Sequence, residues 1–135
     1  MPFNNDLGLL AIRVGTGIIF LTRGFLSIFA GSGRWYELGT RMLYFDVQSA
    51  YSLWGFIIAL LMTLGGLLLI VGLRVRPVAA VLAIVSFLAL ATAPSVYIDI
   101  VSVVYPFATM CVLFGLVLTG GGSMAADTYL TRSTE

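Results

Sequence analysis

Three long stretches of the chain carry no charged residue: residues 51–73, 77–98 and 100–119, which are 23, 22 and 20 residues long. A helix needs about 20 apolar residues to cross roughly 30 Å of hydrocarbon. Each stretch therefore predicts a spanning helix. Residues 7–31 form a fourth apolar run of sufficient length, interrupted by Arg13 and Arg23. The pattern predicts an all-α membrane protein, a four-transmembrane-helix bundle with spans at 7–31, 51–73, 77–98 and 100–119.

The polar punctuation agrees. "GLRVRP" (72–77) reads as a tight basic turn with Pro77 at the first helical position. "GGG" (120–122) reads as a glycine stop after the last span. Pro94 and Pro106 are tolerable in membrane helices whose neighbours satisfy the freed carbonyls. Between the first two spans, Trp35, Leu38, Met42 and Phe45 recur at helical spacing, and Glu37 and Arg41 stand four apart in the favourable order. Residues 34–46 are expected to form a short amphipathic helix in the headgroup plane, anchored by Trp35. Gly39 weighs against it, and an irregular loop with aromatic contacts is the alternative. Small residues, among them Gly15, Gly17, Gly55, Ala59, Gly65, Gly66 and Ala79, favour close helix packing over a cofactor groove.

Composition narrows the chemistry. Of 135 residues, 60% are apolar and 10% charged, with a mean hydropathy of +1.07; soluble domains carry about 25% charge. The length suits one domain over residues 1–135. The net charge of +1, with seven arginines and no lysine, offers no nucleic-acid footprint. There is no histidine and one cysteine, Cys111. Disulfides within the chain, zinc sites, iron–sulfur clusters and His-ligated haem are thereby excluded, so no metal site is expected. Redox chemistry would need a metal on a partner or an organic carrier. The N-terminal run is too long, and too poor in flanking Lys or Arg, for a cleaved signal peptide. Four spans put both termini on the side of Arg74 and Arg76. The arginine balance then favours cytoplasmic termini in a bacterial inner membrane, by one residue.

"LLAIRVGTGIIFLTRGF", "RWYELGTRM", "LWGFIIALLMTLGGLLLIVGLRVRPVAAVLA" and "LTGGGSMAAD" follow one another in the order of the DoxX-like membrane proteins, which the chain resembles over residues 9–127. The most specific part is 54–80. The resemblance implies a four-helix bundle. Some relatives are membrane subunits of thiosulfate:quinone oxidoreductase, others are grouped with superoxide and thiol defence, and many have no assigned activity. The resemblance also marks departures. Arg23 stands where the family usually has a histidine, Ser27 where a lysine often follows, and Met62 where a glutamate often precedes Gly66. Histidine and glutamate can exchange protons; arginine keeps its proton and methionine has none to give. Arg13 and Asp127 match the family's arginine and aspartate.

The two arginines need partners. At a rise of about 1.5 Å per residue, Arg13 lies roughly 9 Å and Arg23 roughly 24 Å into a span beginning at Leu7. A lone arginine at the bilayer centre costs about 2.5 kcal/mol or more, and less near an edge where it can snorkel. Topology offers Asp127 or Asp6 to Arg13, and Asp99 or Asp46 to Arg23. Two structural ion pairs, Arg13–Asp127 and Arg23–Asp99, are expected to tie the first helix to the last. Snorkelling alone is the alternative for each. A third reading has Arg23, with Trp54 nearby, contacting a quinone or a lipid phosphate. Thr16, Thr63, Ser86 and Thr109 are expected to bond their own helices. Cys111 is expected to be inert packing. Tyr97, Tyr105, Trp35 and Trp54 are expected to form interfacial belts.

Two functions follow. The first is a non-catalytic accessory subunit of a larger bacterial membrane complex, respiratory, quinone-linked or photosynthetic, binding no cofactor of its own beyond a quinone or lipid. Its partners are the bilayer and other membrane subunits, whose contacts would order both tails. The second is a quinone-reducing oxidoreductase subunit with a quinone site near Arg23. Small-molecule transport lacks an evident hydrophilic path.

Overall fold

The computed structural model describes residues 2–46, 49–92, 100–120 and 122. Among them every regular element is helical: α1 (Pro2–Phe29), α2 (Ser32–Gly39), a 3₁₀ segment (Thr40–Phe45), α3 (Tyr51–Val71), α4 (Val75–Ala91) and α5 (Ile100–Thr119). Asp127 and Asp99 lie outside the described residues, and with them both expected ion pairs.

Glycine sets the breaks. Gly31 joins α1 to α2 at φ 87°, a conformation costly for any residue with a Cβ. Gly72 closes α3 at φ 82°, its N–H bonded to Leu68 O at 2.8 Å, while Leu73 N–H reaches the same carbonyl at 3.1 Å. Arg74 caps α4, so Pro77 is the third helical residue and not the first. The position still suits proline, because the N–H groups of a first turn have no intrahelical acceptor.

Close backbone approach organises the packing. Gly17 and Gly24 on α1 face Gly66 and Ala59 on α3: a methyl on Gly17 would lie 2.8 Å from Gly66 O, and one on Gly24 would lie 2.8 Å from Ala59 O. α2 crosses α3 with the Gly39 Cα against the Tyr51 carbonyl and the Gly55 Cα against the Trp35 carbonyl. Gly15, by contrast, has no neighbour there and takes no part in the packing. The main core joins Phe20 of α1, Leu69 of α3, Leu82 of α4, and Leu113 and Leu116 of α5.

α2 bonds back to the protein. The Trp35 indole N–H donates to Ser27 O at 3.0 Å, one of the carbonyls that the end of α1 leaves open, and its ring sits edge-on to Phe56. The expected Glu37–Arg41 pair is not formed; Glu37 bonds Arg34 at 2.9 Å instead. The helix tightens to 3₁₀ after Gly39, so Arg41 no longer stands one α-turn above Glu37.

Among the described residues two helices are long and apolar enough to cross a membrane: α1 over Asp6–Phe29 and α3 over Tyr51–Val71. α4 is a shorter apolar helix of 17 residues, as is the stretch Val103–Thr119 of α5. Large apolar side chains face outward on all four, among them Phe29 (75% exposed), Leu53 (59%), Ile84 (67%) and Phe114 (62%). Water-facing surfaces rarely carry apolar area of that extent.

Candidate functional site

One face of α1 presents Phe20, Arg23, Leu26 and Ser27, with Ala30 just beyond its last residue, at spacings of three and four. These residues wall a cavity of about 800 Å³. α2 and the 3₁₀ segment close it with Arg34, Leu38 and Arg41; α3 supplies Ile58 and Met62, α4 supplies Val85 and Ser86 with Thr92 capping its end, and α5 supplies Tyr105, Pro106 and Thr109. Its size is that of a small-molecule or lipid-head site.

The wall is rich in cations. Arg23 lies over the Tyr105 ring, 4.4 Å from its centroid, which joins the first helix to the last. Among the described residues Arg23 has no carboxylate within ion-pair distance. Arg41 is held below the usual arginine pKa, first by burial and then by the neighbouring charges of Arg23 and Arg34, with Glu37 acting the other way. It stays charged at neutral pH, because the unperturbed value is far above it. No carboxylate appears among the lining residues described.

The hydroxyl protons are already committed. Ser27 donates to Arg23 O at 2.7 Å, Ser86 to Leu82 O at 3.0 Å, Thr92 to Leu88 O at 2.8 Å and Thr109 to Tyr105 O at 2.9 Å. The donors left to a guest are the guanidiniums and the Tyr105 hydroxyl, which is buried without a hydrogen-bond partner among the described residues. A buried unpaired hydroxyl costs about 1–3 kcal/mol, so the arrangement suits a guest that only accepts hydrogen bonds.

A family model, DoxX, matches residues 8–95, more than half of the chain. The chain belongs to the DoxX family. This DoxX protein is thus a member of a family of membrane proteins, in keeping with its outward apolar faces. No curated protein and no solved structure matches it significantly. Arg23, Ser27 and Met62, the three positions at which the resemblance leads one to expect other residues, all line the same cavity.

The structure separates the residues read as sites from sequence. Arg23 lines the cavity; Trp54 does not. Arg13 lies ten residues before Arg23, near the middle of α1, 2% exposed, with its guanidinium against Gly72 at the carbonyl end of α3. A cation is favoured there by the helix dipole. The sequence does not join Arg34, Arg41 and Tyr105 into one site. The available signal was the seven-residue spacing of Arg34 and Arg41, two turns along one helical face. Cys111 is exposed on α5, outside the core where packing was expected.

Proposed function

We propose that this DoxX protein is a non-catalytic subunit of a larger bacterial inner-membrane assembly, with α1, α3, α4 and α5 crossing the bilayer, termini in the cytoplasm, and a cavity that holds an amphiphile with a hydrogen-bond-accepting head. The observation that carries this reading is the cavity wall: three arginines and a tyrosine, with Arg23, Ser27 and Met62 at positions where the resemblance to the family leads one to expect proton-exchanging groups. Donors that hold a head group remain; groups that would pass a proton at neutral pH do not. The mostly apolar remainder of the wall suits a tail.

Native mass spectrometry of the detergent-extracted protein tests this reading. Further polypeptides and a retained amphiphile are expected. A solitary chain that carries no amphiphile from a native membrane overturns it.

The second reading, a quinone-reducing oxidoreductase subunit, is favoured by one observation: Arg23 and Tyr105 together line a cavity able to take a quinone ring. It expects quinone turnover by the extracted assembly that falls at least tenfold on Arg23→Ala. Turnover untouched by that change rules it out.

A further inference from the structure

We infer that the guest of this cavity is an anionic membrane lipid, its phosphate held by Arg23, Arg34 and Arg41 and its acyl chain running out past the end of α1. The inference rests on the amphiphile reading above and names the charge and class of the amphiphile.

Charge is the first argument. Three cations converge on one cavity. Glu37 bonds Arg34 on the outer side, where the two side chains are 52% and 67% exposed. Arg41 is less exposed and feels the repulsion of the other two. Like charges held together disfavour the fold unless a counter-charge joins them. A neutral head, such as a quinone, accepts hydrogen bonds but leaves that repulsion in place. A phosphate offsets it and offers several oxygens to planar guanidiniums, which bind phosphate in bidentate fashion.

Donor and acceptor chemistry is the second. With the Ser27, Ser86, Thr92 and Thr109 protons spent on backbone carbonyls, the donors that remain are the guanidinium N–H groups not engaged by Glu37 and the Tyr105 hydroxyl, which has no partner among the described residues. A phosphodiester is an acceptor without a proton to donate, which matches that set. A headgroup that presents its own cation would instead meet three more.

The exit is the third. Leu26 and Phe29 line the cavity and are also 62% and 75% exposed, so its rim is continuous with the outward apolar face of α1. A free phosphate ion would gain nothing from that rim, whereas an acyl chain would be buried along it.

The test uses the full chain in nanodiscs of phosphatidylcholine alone or with phosphatidylglycerol. Phosphatidylglycerol is expected to raise the melting temperature and to stay bound, one per chain, through exchange into detergent. Arg23→Gln combined with Arg41→Gln should weaken that retention about tenfold or more, the scale of charge-assisted hydrogen bonds. Should the double variant fail to fold, Arg34→Gln, at the exposed rim, is expected to lower retention by several-fold in a folded protein. Arg74→Gln, outside the cavity, is expected to change nothing; an equal loss there would reduce the effect to surface charge and overturn the site. Inorganic phosphate added to phosphatidylcholine discs should give no shift. A full shift from the free ion defeats the lipid assignment. Retention of a neutral quinone, regardless of the arginines and in place of phosphatidylglycerol, defeats the anionic inference while the amphiphile reading stands. If neither amphiphile is held, both fall.

Discussion

Gly72 meets two demands at one Cα: it sits at φ 82°, and a methyl there would lie 2.9 Å from the Arg13 guanidinium carbon. The left-handed conformation alone costs a residue with a Cβ about 1–2 kcal/mol. Gly72→Ala is therefore expected to destabilise the protein by about 2 kcal/mol or more, seen as a lower denaturation midpoint in detergent; an unchanged midpoint would show that Arg13 is not packed there. Tyr105 gives the opposite expectation. Its hydroxyl is buried with no partner among the described residues, so Tyr105→Phe should leave the stability of delipidated protein unchanged or slightly raised while weakening retention of a bound amphiphile. Loss of stability in the delipidated protein would mean that the hydroxyl has a partner after all. At this scale the sequence marked the exceptional residues without their surroundings. Arg13 and Arg23 stand out in an apolar run because burying a charge is costly. Gly72 and Tyr105, which meet them, lie 59 and 82 residues further on, and no local pattern joins positions so far apart.

Helix identity was legible at the scale of elements, because a charge-free run of helical length has few other outcomes. α5 begins and ends where the run 100–119 does, and Gly120 takes φ 76° after it. What local periodicity missed was the tightening after Gly39, which sends Arg41 into the cavity and leaves Glu37 to Arg34. It also left open which glycines pack. A methyl on Gly66 would lie 2.6 Å from Gly17 O across the α1–α3 contact, while one on Gly115 would meet nothing within 4 Å. Gly66→Ala is thus expected to loosen α1 from α3 and lower the unfolding midpoint. Gly115→Ala should be neutral or stabilising by about 0.5–1 kcal/mol through helix propensity. Equal effects of the two changes would mean that α1 and α3 do not meet through Gly66.

For the molecule as a whole, the open question is which outward face meets lipid, and Cys111 can report on it. It stands near the middle of α5, exposed in the isolated chain, among the outward residues Phe107, Val112 and Phe114. If α5 crosses the bilayer, this thiol is in hydrocarbon. The thiolate is the nucleophile that a maleimide captures, and a charged reagent does not enter hydrocarbon to meet it. A charged, membrane-impermeant maleimide should therefore fail to label Cys111 in native membranes from either side, yet label it fully once the protein is denatured in detergent. Rapid labelling in intact membranes would mean that this face of α5 meets water, and the four-span arrangement would be lost with it. A partner subunit seated on α5 would also protect the thiol in native membranes. Repeating the reaction on the purified chain in nanodiscs separates the two: protection that persists comes from lipid, and protection that disappears comes from the partner. The same pair of measurements bears on the proposed assembly, because a subunit built to hold company should shield in the native membrane some outward face that the purified chain leaves open.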